Sequence, residues 1–309
     1  MDEKSGIFGN LLRNNVIRAC GRDREIQSVT LPQLLALLIA DEIESLPALR
    51  PHQRYPLHCF LAQVGAMALL AAGESTLPRD AANWRDLLRG LTPDFPNEEP
   101  WALVVDDLSK PALLQPPVPE VTWEALKETE VTPDSLDMLV TSKNHDLKAA
   151  RLERAAAEQW LYALITLQTF EGFLGRGNYG ISRMNGGFAS RAFIGLAPAT
   201  GGWGAHIARD IHRLVDHRAE IIADDTLHKP AGGCRLLWLE PWDGQTSFDP
   251  RQLDPYYVEI CRRVRLRNEN NRIVARLERR GAHQPTQSQT PGQRLHAAHR
   301  RSMDSDREG

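Results

Sequence analysis

Apolar residues in this chain fall into two patterns. Short alternating or clustered runs between turn residues predict strands, and recurrence every three to four positions over ten or more residues predicts helices. Residues 16–20 and 26–29 are β-prone runs around a turn at 21–24, so the chain is expected to open on a hairpin. Thr30 stands at a helix N-cap position, with Pro32 in the first turn, ahead of Leu34, Leu35, Leu37, Leu38 and Ile39. A second helix over 56–72, apolar almost all round, is expected to be buried and to stop at Gly73. Residues 81–91 give a short amphipathic helix with Trp84, Leu87 and Leu88 inward, and 101–105 a buried strand. The stretch 111–119 is too rich in proline for a helix and predicts an extended connection.

Further along, 155–170 places Trp160, Leu161, Leu164, Ile165 and Leu167 at core spacing. Residues 192–196 and 236–239 read as strands, and 205–222 as a helix studded with His206, Arg209, His212, Arg213, His217 and Arg218. Leu253 to Leu266 mixes apolar residues with Arg262, Arg263 and Arg265. These elements predict an α+β fold: a mixed α/β domain over 1–280, with several helices around small antiparallel sheets. Beyond Gly281 the apolar periodicity is lost, which predicts a polar disordered tail over 281–309.

Composition narrows the class. At 309 residues, 42 % apolar and 25 % charged, the chain reads as a soluble globular protein. No run of 18 apolar residues is present, and Met1-Asp-Glu-Lys-Ser5 lacks the basic start and apolar middle of a signal peptide, so a cytoplasmic location is expected. Cys20, Cys59, Cys234 and Cys261 form no C-x-x-C pair; neither a zinc knuckle nor disulfides are expected, and no cofactor is implied.

Charge changes the picture more. The net value of −3 hides a polarity: residues 1–140 carry 12 basic against 21 acidic side chains, whereas 256–309 carry 12 arginines against 6 acids. Between Glu171 and Asp210 there is no acidic residue at all. Inside that window Gly172, Gly175, Gly177, Gly180, Gly186 and Gly187 are interleaved with Arg176, Arg183, Arg191, Phe173, Tyr179 and Phe188. Glycine tolerates positive φ and lets backbone N–H groups approach a phosphate or a groove. Arginines supply phosphate contacts and aromatic rings stack on bases. The plain alternative is a glycine-rich connection with ordinary solvated arginines.

Three segments then carry a resemblance. Lys143-Asn-His-Asp-Leu-Lys148, the stretch from Gly172 to Arg191, and Leu236-Leu-Trp-Leu-Glu-Pro-Trp-Asp-Gly244 with Tyr257-Val-Glu-Ile-Cys-Arg-Arg263 resemble, in order and spacing, the CasA-type large subunit of type I-E Cascade. Cascade is the RNA-guided CRISPR surveillance complex. The opening, Phe8 to Leu38, is also similar to that family's hairpin-then-helix, so the resemblance covers most of residues 7–275. It fades near Ile273-Val-Ala-Arg276, short of the wedge hairpin and C-terminal helical bundle with which the family continues.

The resemblance implies a non-enzymatic subunit that reads the short PAM duplex beside the target through the minor groove and contacts the 5′ handle of the guide RNA. Its implied partners are the other Cascade subunits, the CRISPR guide RNA, double-stranded target DNA and a helicase-nuclease recruited after target binding. Carried over by position, the PAM loop would comprise Gly172, Gly175, Arg176, Gly177, Asn178 and Gly180, with Arg183 and Arg191 on bases or phosphates. Lys143, Asn144, His145, Lys148 and Arg151 would engage the guide handle, and Lys229 is offered for the family's lysine contact. Reading a few short PAMs by close backbone approach suits the sparse code of a minor groove.

Other classes remain open. His145-Asp146, Asp216-His217 and the trio His206, Asp210 and His212 raise a metal-dependent phosphohydrolase. Yet His206, His212 and His217 are spaced six and five apart and share no helical face. His206/Asp210 and His212/Asp216 read more simply as surface pairs one turn apart. Gly175-Arg-Gly-Asn-Tyr-Gly180 spells a dinucleotide fingerprint, but it follows an expected helix rather than a strand. A scaffold without nucleic-acid contact is the third class, with 262–280 as a docking helix whose arginines face solvent.

Overall fold

A computed structural model describes residues 6–118, 123–124, 126, 128–136, 155–170, 180–182, 200–244 and 246–277. The chain divides into units Met1–Arg279 and Arg280–Gly309, and all described residues belong to the first. The architecture is α+β, with helices packed around small sheets.

Strand β1 (Ile7–Asn10) precedes the expected hairpin of β2 (Ile17–Gly21) against β3 (Ile26–Val29). Helix α1 (Leu31–Ile39) starts where its sequence signal lies. Thr30 Oγ1 accepts from the Gln33 amide (3.2 Å) and Gln33 Oε1 accepts from the Thr30 amide (2.8 Å), which satisfies two donors that a helix start leaves unpaired. β4 (Ile43–Ser45) joins β2 to complete a sheet of order β3-β2-β4. A 3-10 turn, Pro51–Gln53, then leads into α2 (Arg54–Ala72), which ends on Gly73 in the left-handed region (φ 72°). Among the described residues, Pro51–Ala72 is the helical segment long and apolar enough to cross a membrane, yet 67 % of its apolar window is buried inside the protein. α3 (Ala81–Gly90) is capped by Asp80 and buries Trp84 and Leu88, with Leu87 half-buried. β5 (Ala102–Val105) runs antiparallel to β1 with Ile7 opposite Val105.

The proline-rich stretch differs from expectation. Residues 111–118 are buried and fold back on themselves: Ala112 bridges to Gln115, and Leu114 takes φ 55°. A buried loop must find partners for its peptide groups, and two polar side chains supply them. Gln115 Nε2 donates to Leu103 O (2.8 Å) and Leu113 O (3.0 Å), while its Oε1 accepts from the Leu266 amide (2.6 Å). Arg265 Nη1 donates to Lys110 O (2.8 Å) and its Nη2 to Val105 O (2.9 Å).

Beyond the loop lie β6 (Glu128–Glu130), α4 (Pro133–Leu136) and α5 (Ala157–Thr169). The helix expected over 205–222 is two helices, α6 (Trp203–Asp216) and α7 (Arg218–Asp224). They part at His217, whose backbone (φ −92°, ψ 9°) leaves the helical region while its ring bridges Arg213 (3.0 Å) and Glu220 (2.7 Å). β7 (Cys234–Leu236) pairs in parallel with β8 (Leu253–Val258), an exception to the antiparallel pattern. Between them a 3-10 turn, Leu237–Leu239, seats Trp238 edge-on to Trp101 (ring centroids 6.2 Å apart), its indole N–H on Pro100 O (3.1 Å).

β9 (Val264–Glu269) and β10 (Arg272–Leu277) form a hairpin turned by Asn270 and Asn271, both at positive φ (52° and 62°), and β6 adds to β10. The docking helix expected over 262–280 is therefore a hairpin as far as it is described. Both faces of β9 are covered at Val264–Leu266, so Arg265 is buried, 1 % exposed, rather than turned toward solvent. Its cage is made of neutral carbonyls, so burial lowers its pKa to about 10.

Candidate nucleic-acid interface and a histidine cluster

The helix that delivers the chain to the glycine-rich stretch is α5, and its last turn is fixed by Gln168. This fully buried amide pairs with the backbone of the segment after β8: Oε1 accepts from the Cys261 and Arg262 amides (2.8 Å each), and Nε2 donates to Arg262 O (2.9 Å) and Leu114 O (2.9 Å). Gly180, Ile181 and Ser182 return to that same segment. The Ile181 amide donates to Ile260 O (2.8 Å), and Ile181 O accepts from the Phe248 amide (2.8 Å). Glu259, 1 % exposed, accepts from the Ser182 amide (3.1 Å), the Ser182 hydroxyl and the Ile260 amide (3.1 Å). Ser182 Oγ also lies 3.1 Å from the Tyr257 hydroxyl.

Residues 259–262 are thus a rail that holds both the Gln168 side chain, in the last turn of α5, and the segment Gly180–Ser182. Gly180, placed by the sequence among the groove-facing glycines, is buried: a Cβ there would meet Ile260 O at 3.2 Å and the Glu259 carboxyl at 3.3 Å. Glycine at this position serves close packing on the rail.

Most of the sequence-expected contacts lie outside the described residues. These are Gly172, Gly175, Arg176, Gly177, Asn178, Arg183 and Arg191, the guide-handle set Lys143, Asn144, His145, Lys148 and Arg151, and the strand expected over 192–196. Lys229 is exposed and forms no ion pair among the described residues, while its amide donates to Leu253 O (2.8 Å). Gln168 and Glu259 escaped the sequence reading, since a lone Gln at a helix end and a lone Glu in a β-prone run carry no local signal.

A second polar group lies where α2 meets α6. His58, on the helix read as pure core, approaches His206 (ring centroids 4.3 Å apart) and Asp210, and the ligand-capable atoms of these three lie within 4.8 Å of one another. His206 and Asp210 do pair one turn apart (3.3 Å), but the group is largely enclosed, with side chains 13 % and 28 % exposed, so the expected surface pair is an interhelical one. His212 and Asp216 are exposed and form no ion pair with each other, as an exposed pair gains too little to hold two side chains together.

The hydrogen bonds fix the chemistry of the group. Trp203 Nε1–H donates to His58 Nδ1 (3.1 Å), so the His58 proton sits on Nε2 and is donated to Asp210 (2.8 Å). Arg209 completes the set on Asp210 Oδ1, with Nε at 2.8 Å. Burial lowers the pKa of His58 against the opposing bond to Asp210, and burial also lowers that of His206. Burial alone would raise the Asp210 carboxyl, but the bonds from His58 and Arg209 outweigh it and hold it below the usual carboxylate range. The neighbouring Cys59 thiol is pushed up to about 12 by burial, which leaves no thiolate for nucleophilic work at neutral pH.

These donors do not suit a metal. An imidazole that ligates through Nε2 carries its proton on Nδ1, usually donated to a carbonyl or carboxylate. Here Nδ1 faces an indole N–H, so metal binding would set two donors against each other. The trio reads as a lock between two helices, two neutral imidazoles set against an ionised carboxylate.

Comparison with family models, curated proteins and solved structures finds no match for the chain.

Proposed function

We propose that this chain is a non-catalytic, PAM-sensing subunit of a type I-E CRISPR effector complex, working in the cytoplasm. The observation that carries the reading is the acid-free, arginine-bearing glycine stretch, whose residues 171–179 lie in sequence between Gln168 and Ile181, both held on the rail 259–262. A stretch bearing three glycines can bring peptide N–H groups against a minor groove. In this reading Arg176 and Asn178 approach base edges, and Arg183 and Arg191 take phosphates. Lys143, Asn144, His145, Lys148 and Arg151 hold the guide RNA handle. The other subunits of the complex supply the long sequence match by RNA–DNA pairing, and a helicase-nuclease is recruited after target binding.

A hydrolase centred on His58, His206 and Asp210 is disfavoured by the tautomer that Trp203 imposes. The test is co-purification with the remaining Cascade subunits and guide RNA, followed by selection from a duplex library randomised at the PAM. Enrichment of a short motif that is lost on Gly177→Val supports the reading. Failure to assemble, or equal selection by both proteins, overturns it.

A further inference from the structure

We infer that Glu259 is a positioning residue for nucleic-acid binding: it clips Ser182 to the rail and so fixes where the cationic stretch leaves the fold. The inference rests on the function proposed above, and its atoms are all in the described part of the chain. The clip is local and short. One buried carboxylate gathers the Ser182 amide, the Ser182 hydroxyl and the Ile260 amide, and the Ile181 amide bonds Ile260 O directly behind it. Gly180 packs against the same carboxyl, so the chain passes over Glu259 with no room for a side chain to intervene. On the same rail Gln168 grips Cys261 and Arg262.

Of these two grips, Gln168 belongs to a helix that the core already holds, since its α5 neighbours Leu161, Leu164 and Ile165 are buried. Gly180–Ser182 belongs to no helix or strand, and among the described residues it is held by these bonds, the Ser182–Tyr257 contact and the buried Ile181 side chain. Releasing Glu259 therefore frees the point from which both 171–179 and 183–199 depart. Arg176 and Arg183 flank that point on either side.

Two substitutions separate positioning from bulk stability. In Glu259→Gln, Oε1 still accepts from both amides, and the Ser182 hydroxyl turns to Tyr257. In Glu259→Leu the shape is roughly kept and all three bonds are lost. Each chain is assembled with the remaining complex subunits and guide RNA and probed with a fluorescein-labelled DNA duplex carrying the selected PAM. Three quantities are read: hydrogen exchange at the Ile181 and Ser182 amides, affinity, and the slope of log affinity against log salt. Glu259→Leu is expected to speed exchange at Ser182, weaken binding about ten-fold and flatten the salt slope by about 2, as two phosphate contacts are lost. Glu259→Gln is expected to stay near wild type in all three, and Ser182→Ala to fall between.

Fast Ser182 exchange in Glu259→Leu with unchanged affinity and slope would overturn the clip, while Arg183→Ala and Arg191→Ala, if they flatten the slope, would leave the proposed function standing. Weaker binding at an unchanged slope would reduce Glu259 to a structural residue and overturn the inference. Wild-type binding without salt dependence would overturn clip and function together.

Discussion

At the α2–α6 contact two histidines, an aspartate, a tryptophan and an arginine meet; on the rail at 259–262 a glutamate, a glutamine and a few peptide groups do. The first group has the residue types of a hydrolytic centre. Yet both His58 nitrogens are occupied, one as acceptor and one as donor, and Asp210 is shared between His58 and Arg209. The second group has one carboxylate, which accepts from the Ser182 hydroxyl and two peptide N–H groups, and it holds the segment Gly180–Ser182 in the midst of the chain's acid-free, arginine-bearing stretch. Which atoms already have partners, rather than which residues are present, decides what each place can do.

The two regions break apart most sharply at their glycines. A Cβ on Gly204, at the start of α6, would lie 2.0 Å from Leu38 O and 3.1 Å from Asp41 Cα, so α6 could not seat against the end of α1. Gly204→Ala should cost about 3–5 kcal/mol in chemical denaturation, near the upper end for single substitutions. Gly180→Ala meets its neighbours at 3.2–3.3 Å and should cost about 1 kcal/mol, a difference that sets helix seating against packing of Gly180 on the rail.

Trp203→Phe removes the donor that holds His58 in its tautomer and should cost about 1–2 kcal/mol. It should also free His58 to ligate, so titration calorimetry with Zn2+ should find a site in this variant that wild type lacks. Zinc binding by wild type at His58 would contradict the lock.

Acid should act on the cluster as well. The pKa values of His58 and His206 are lowered from 6.5, so the unfolded chain binds protons first as pH falls. Stability is full above 6.5 and is lost as pH drops below it toward the folded values, and His206→Gln should flatten that loss in urea melts across the window. Ser182→Ala, which removes the hydroxyl bond to Glu259, should cost about 0.5–1.5 kcal/mol, comparable to Gly180→Ala.

Much of the fold is legible because its signals are local. The cap at Thr30, the stop at Gly73 and the hairpin before α1 each depend on residues a few positions apart. What escaped depends on partners far along the chain. Arg265 looks like a surface charge until β9 turns it onto the carbonyls of a loop some 150 residues earlier, and the same loop is compact because Gln115 satisfies it. His58 is read as core filler because its partner, Asp210, lies 152 positions away. The glycine stretch is legible in composition, but its anchorage is not. Nothing in Gly180-Ile-Ser182 announces Glu259.

The most direct measurement is contact itself. A photo-reactive amino acid placed at Asn178, in the assembled complex with guide RNA and target duplex, reports what lies against the loop. The account predicts cross-links to PAM base pairs, lost when the PAM is replaced; cross-links confined to protein, or indifferent to the PAM, would contradict it.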